Sequence, residues 1–245
     1  MKVIVPYSGG KDSQACLIWA VEKYGSKNIE AVFCDTGWEH ELTYRHVKLI
    51  PELLGVKLTI LKSKTYDGFV DLAVKKGRMP SVMARFCTEE LKIKPMIDYI
   101  LSQKDNLLIV QGIRADESKS RSQMSKECTY FKYYFTPYTT NSMIVERFED
   151  KKTELTKRQK KQYEKAKLRL SKGKEDAKFH RYRKEDVAEW VKKYSDDILR
   201  PVFDWGGQEV IMYSINRGFP INPLYYRGSK RVGCYPCVID RKSVV

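Results

Sequence analysis

No stretch of the 245 residues approaches the ~18 consecutive apolar residues that cross a bilayer, so no membrane partner is expected. The opening run Met1–Pro6 has too short an apolar core for a signal peptide and passes at once into glycines, which predicts a cytoplasmic protein. In that compartment the six cysteines read as free thiols, metal ligands or redox groups rather than disulfides. The G-x-x-x-x-G-K-[ST] spacing is missing, which excludes that type of phosphate loop, and there is no internal repeat. Residues 146–194 hold a single glycine, Gly173, no proline and few apolar side chains.

What is present is a globular composition, 42% hydrophobic and 12% aromatic, in a chain long enough to bury a real core. Net charge is +15 and unevenly spread: residues 151–193 carry seventeen Lys/Arg against seven Asp/Glu, leaving the remainder only mildly basic. Apolar runs at Lys2–Pro6, Ile29–Cys34, Val56–Leu61 and Asn106–Gln111 predict buried strands. Helical spacing lies between them, at Asp12–Tyr24 (ended by Gly25), His40–Leu54 (with Pro51 as a kink or early end), Asp67–Lys76 and Glu89–Leu101. Such alternation predicts an α/β fold, a parallel sheet flanked by helices. Ligands then bind beyond the carboxyl ends of the strands, in the loops after Pro6, Cys34 and Gln111. The basic stretch predicts an inserted helical arm, with helices at Glu154–Lys172, polar nearly all round, and Lys184–Tyr194. The organisation expected is a nucleotide-binding domain at 1–145, a basic insertion at 146–195 and a segment at 196–245 packing back on the main domain.

The first of these loops is Ser8-Gly9-Gly10-Lys11-Asp12-Ser13. Paired glycines permit a tight turn, and backbone N–H groups at a helix start can point at phosphate oxygens, with two hydroxyls and an ammonium beside them. An ordinary strand–helix turn is the bland alternative. Asp35 at a strand end suits a ribose hydroxyl or an adenine amino group, or else a structural cap. Arg114 and Arg121 suit phosphate or sulfate oxygens, or else salt bridges to Asp116 or Glu117. Cys234-x-x-Cys237 has the spacing of a shared metal or a redox pair. Cys16 and Cys34, on an apolar helix face and in a strand, read as core. Tyr163, Phe179, Tyr182 and Trp190 could stack on bases if the arm lies along nucleic-acid phosphates; a solvated hairpin or a contact with an acidic protein is the other reading.

Ser8–Ser13 resembles the pyrophosphate loop of the N-type ATP pyrophosphatases and of the phosphoadenosine-phosphosulfate (PAPS) reductase family. The resemblance continues in order through Asp35-Thr36-Gly37, Arg85-Phe86-Cys87-Thr88-Glu89-Glu90-Leu91-Lys92 and Gly112-Ile113-Arg114-Ala115-Asp116-Glu117-Ser118 with Arg121. It ends with Arg200-Pro201, Asp204-Trp205, Asn222-Pro223-Leu224-Tyr225 and Gly233-Cys234-Tyr235-Pro236-Cys237. It implies a Rossmann-like fold of the adenine nucleotide alpha hydrolase type. By resemblance, Ser8, Gly9, Gly10, Lys11, Asp12 and Ser13 would hold ATP phosphates, and Asp35, Thr36 and Gly37 the adenosine. Gly112, Arg114, Glu117 and Ser118 would complete the nucleotide site, with Lys11, Asp12, Arg114 and Arg121 acting at the α-phosphate beside Mg²⁺. Cys87, Cys128, Cys234 and Cys237 would hold a [4Fe–4S] cluster, with zinc as the alternative. Two departures stand out. Phe86-Cys87 replaces the Cys-Cys pair of assimilatory adenylyl-sulfate reductases. The Glu-Cys-Gly-x-His setting of the reductase nucleophile is also missing, and Lys126-Glu127-Cys128 shares only its first part.

The expected activity is therefore that of an ATP pyrophosphatase-like enzyme serving sulfur transfer, by resemblance with a sulfur-donor protein and with nucleic acid as the acceptor reached through 151–193. A true PAPS or adenylyl-sulfate reductase is one alternative, and a non-catalytic nucleotide- or nucleic-acid-binding module is another.

Overall fold

The computed structural model describes residues 1–81, 84–149, 154–175, 178–235 and 237. The chain divides into two compact units, Met1–Thr129 with Trp190–Val245, and Tyr130–Glu189. In chain order the elements of the first part are β1 (Lys2–Pro6), α1 (Lys11–Tyr24), β2 (Ile29–Cys34), α2 (Glu41–Leu53), β3 (Lys57–Leu61), α3 (Phe69–Lys75), α4 (Phe86–Thr88), α5 (Lys94–Ser102), β4 (Leu107–Val110), α6 (Lys119–Ser122) and β5 (Glu127–Thr129). There follow α7 (Lys132–Phe135), α8 (Asn141–Glu149), α9 (Lys157–Ser171), α10 (Lys184–Trp190), β6 (Asp196–Leu199) and α11 (Gly207–Ile215).

The first unit is built on a six-stranded sheet of order β3-β2-β1-β4-β6-β5, parallel except for the antiparallel edge strand β5. The central strands are buried on both faces, which is why β1, β2 and β4 read as unbroken apolar runs rather than alternating ones. Their side chains and those of α1 form one core with Val47 and Ile50 of α2 and Val202 and Val210 of the C-terminal segment. Helix α2 runs through Pro51, two residues before its end, where only one intrahelical bond is forfeited. A buried polar tie joins α1, α2 and the C-terminal segment: His46 Nε2 donates to Gln14 Oε1 at 2.7 Å, and Gln14 Nε2 donates to the Pro220 carbonyl at 2.8 Å.

Strands β5 and β6 and helices α6, α7, α8 and α11 lie outside the elements expected from periodicity. β5 has three residues and β6 opens with two aspartates, so neither forms an apolar run. Pairing with β4 on one side and β5 on the other gives β6 its conformation. Helix α11 occupies a stretch that reads as turn-rich. The helix expected at Glu89–Leu101 starts earlier, at Phe86, and Glu89–Ile93 is a π-helical turn joining α4 to α5.

In the second unit, α9 is not polar all round. Tyr163 and Ala166 are buried with Ile144 and Phe148 of α8, and Asn141 Nδ2 donates to the Lys174 carbonyl at 3.0 Å. Base stacking by Tyr163 is thereby ruled out, because its ring is inside and its hydroxyl donates to Glu149 at 2.5 Å. In the first unit Trp190 is buried too, its Nε1–H donating to the Gln103 carbonyl at 2.8 Å. Among the described residues no helix is long and apolar enough to cross a membrane.

Candidate nucleotide site

The Ser8–Ser13 loop leaves the carboxyl end of β1 and opens α1, as the sheet-end rule requires. Gly9 has φ +74°, and a Cβ there would meet Val47 Cγ2 at 2.9 Å, so glycine is needed. Ser13 Oγ accepts from Ser8 N at 3.2 Å and donates to the Gly10 carbonyl at 3.0 Å, which ties the loop back on itself. Gly112, after β4, comes so close to the start of α1 that a Cβ would lie 2.6 Å from Ser13 N. The first and third ligand-facing loops are thus in backbone contact.

Cations gather here. Arg114 is buried: its Nε donates to Asp12, its Nη1 to Asp116, and Nη1 also reaches the Trp205 carbonyl at 3.3 Å. Arg121 pairs with Glu117, whose carboxylate also accepts from Arg114 N at 3.3 Å. Both arginines therefore hold the carboxylate partners that the alternative reading named, with Asp12 as an unforeseen one. Lys11 lies 3.8 Å from Asp12. Burial pushes the Lys11 ammonium down, Asp12 resists this, and the Arg114 and Arg231 charges add to the downward push. Burial likewise lowers Arg121, with the charges of Arg231, Arg85 and Arg114 contributing and Asp12 opposing. Five cations thus face three carboxylates, and the excess suits a polyanionic ligand.

Sequence reasoning missed how far the C-terminal segment takes part. Asn222 Nδ2 donates to the Gly9 carbonyl at 3.2 Å, and the Tyr225 hydroxyl accepts from Lys11 N at 3.0 Å. Lys11 Nζ sits 5.2 Å from the Tyr225 ring centre and donates to the Lys230 carbonyl at 3.4 Å. Arg231 follows directly. Asn222 and Tyr225 fall within one of the tail matches, but nothing local in the sequence couples them to a loop more than two hundred residues away. Burial raises the Tyr225 hydroxyl to about 12.

At the second loop, Asp35 and Gly37 border a cavity of about 350 Å³ lined also by Lys62, Tyr66 and Gly68. Asp35 Oδ1 accepts from Gly37 N at 2.9 Å and from the Tyr44 hydroxyl at 2.8 Å, and its other oxygen lies 3.5 Å from Lys62. Thr36 is not among the lining residues. It is buried and donates to Glu39 at 2.8 Å, so it shapes the loop from behind. Ser118 caps α6.

The expected cysteine set is not assembled. Cys234 bridges to Glu39, with its sulfur 3.6 Å from Thr36 Oγ1 and 3.8 Å from Glu39 Oε1. Burial raises this thiol, and the neighbouring Lys92 works against the rise. Cys87 packs beside Trp38 against Phe69, Leu72 and Leu91, so it borders the same loop. Cys128 does not: it lies on β5, four strands from β2, or roughly 19 Å at ~4.8 Å per strand. Its sulfur accepts instead from Arg200 Nη1 at 3.4 Å. Among the described residues no three His, Cys, Asp or Glu side chains converge as a metal site. A cluster or zinc ion on all four cysteines does not fit this arrangement. Cys16 is fully buried, as a core residue should be, whereas Cys34 is only partly so and donates to the Lys92 carbonyl at 3.6 Å.

A family model, the phosphoadenosine phosphosulfate reductase domain, matches residues 2–239. The chain belongs to this family. It is similar to an uncharacterised 37.8 kDa protein of Escherichia phage 186, at 28% identity over 98% of this chain and 68% of that protein. An uncharacterised protein of Methanocaldococcus jannaschii is 26% identical over 96% of this chain, which spans only 36% of that relative's length. Among solved structures, the PAPS reductase of Candida auris in its phosphate complex superposes with a TM-score of 0.54, at 13% identity, over 96% of this chain and 83% of that one. At that identity the likeness establishes the fold.

Proposed function

We propose that the chain binds ATP or a related adenylyl nucleotide between the Ser8–Ser13 loop and the Asp35 cavity, and acts at its α-phosphate in a sulfur-transfer reaction. The observation that carries this reading is the convergence of Lys11, Arg114 and Arg121 on the phosphate loop, with a carboxylate-edged cavity at the neighbouring strand end. An acceptor oxygen attacks the α-phosphorus as its bond to the bridging oxygen breaks, and the electron pair leaves with pyrophosphate. Lys11, Arg121 and the loop amides take the growing negative charge, and Asp12 holds Arg114 in place. Mg²⁺ bound with the phosphates would supply further charge neutralisation. A sulfur nucleophile from a donor protein then displaces AMP from the activated acceptor, for which nucleic acid is the class proposed.

Pyrophosphate release from ATP, measured with sulfide and nucleic acid present, tests the reading. Lys11→Ala should lower it at least tenfold, and an unaltered rate would remove Lys11 from the chemistry. Family membership favours a second reading, reduction of an adenylyl sulfate. Sulfite release with a thiol donor, in the absence of pyrophosphate release, would select it instead.

A further inference from the structure

Helix α9 carries seven Lys/Arg against a single acid, Glu164, within fifteen residues. Its Tyr163 and Ala166 face inward. At 3.6 residues per turn, Lys157, Lys161, Lys165 and Lys172 then fall on the opposite side, with Leu168 between the last two. All four lysines are exposed, and none has a carboxylate partner among the described residues. The steps from Lys157 to Lys161 and on to Lys165 rise about 6 Å each, the step to the C-cap Lys172 about 10.5 Å, and the row spans about 22 Å at ~1.5 Å per residue. A nucleic-acid duplex presents a phosphate about every 3.4 Å along each strand, so the two shorter steps cover about two phosphates each and the last about three.

We propose that this face of α9 tracks the phosphate backbone of double-stranded nucleic acid without reading its sequence. It deepens the nucleic-acid partner proposed above but does not depend on the nucleotide site. An acidic protein fits less well, since lysine is depleted at protein interfaces, whose energy rests on aromatic and arginine anchors. This face offers one exposed leucine. A single strand also fits less well, because it needs aromatic platforms, and the only aromatic residue of α9 is the buried Tyr163.

The test is fluorescence anisotropy of the full chain on a random-sequence DNA duplex of about 30 base pairs, from 50 to 200 mM salt. Four neutralised phosphates predict a log–log salt slope of about −3.6, at ~0.9 per contact. The quadruple variant K157Q/K161Q/K165Q/K172Q should bind more than tenfold more weakly with a much flatter slope and keep its helical circular-dichroism signal. The four-arginine counterpart should restore binding. A salt-independent parent, a quadruple variant that binds as well as the parent, or tighter binding of polyglutamate or single-stranded DNA than of duplex would each overturn the proposal. Lys11→Ala separates the two readings: it should lower turnover at least tenfold and leave duplex affinity unchanged.

Discussion

Replacing Gly112 by alanine should damage stability and catalysis together. The new Cβ would lie 2.6 Å from Ser13 N and 2.7 Å from both Asp12 C and Asp12 O, all backbone atoms at the start of α1. No side-chain rotation relieves such a contact, so the loop after β4 or the phosphate loop must give way by most of an ångström. Overpacking of this kind costs about 1–3 kcal/mol. In a chain of this size that corresponds to a melting temperature lower by roughly 2–12 °C, at ~2–4 °C per kcal/mol. The same movement shifts Arg114 relative to Asp12, and a misplacement of ~1 Å can cost about a hundredfold in rate. Differential scanning calorimetry and a pyrophosphate-release assay read the two effects on one preparation. Gly207→Ala is the control: its Cβ would meet nothing nearer than Arg114 Nη2 at 3.5 Å, an ordinary contact. If Gly112→Ala melts within ~1 °C of the parent, the close approach of the two loops is refuted.

Acid should destabilise the protein through two separate groups. Burial lowers His46 to about 4, below its unfolded value near 6.5, so its contribution is present above 6.5 and is lost as pH falls towards 4. Burial would raise the Glu30 carboxyl, but hydrogen bonds from Lys2, Thr59, Tyr99 and Lys57 outweigh it and draw it to about 2, from 4.5 unfolded. Its contribution is therefore lost as pH falls from 4.5 through 2. Denaturant titrations across this range should show His46→Gln flattening the upper part of the profile and Glu30→Gln the lower; unchanged slopes would contradict the assignments. Cys128→Ser should leave the iron and zinc content of anaerobically purified protein as it was, and metal lost from that variant alone would refute the separation of Cys128 from Cys234.

Local sequence carried much of the nucleotide half. The strand–glycine–helix order at Val3 to Tyr24 is read within two dozen residues, because apolar runs and glycine torsions act at short range. The strands at Lys2–Pro6 and Ile29–Cys34 match their expected bounds, and colinear motifs from Ser8 to Cys237 identify the family. What stayed hidden depends on long-range pairing. β6 has no apolar signature of its own, so the sheet position of β5, and with it that of Cys128, exists only once β6 pairs with β4. The cysteines were grouped by family spacing, and distance along the chain says nothing about distance across a sheet. Tyr163 and Trp190 looked available for stacking until packing took them inside.

The residues of Ser8–Ser13 by themselves determined a tight glycine turn opening a helix, since glycine conformational freedom and a helix N-terminus are properties of a few consecutive residues. Tertiary structure alone decided what surrounds that turn: Gly112 against its backbone, Arg114 on Asp12, and the Tyr225 hydroxyl on Lys11 N. These contacts join segments about one hundred to more than two hundred residues apart, and only the closing of the sheet and the return of the C-terminal segment bring them within hydrogen-bonding reach.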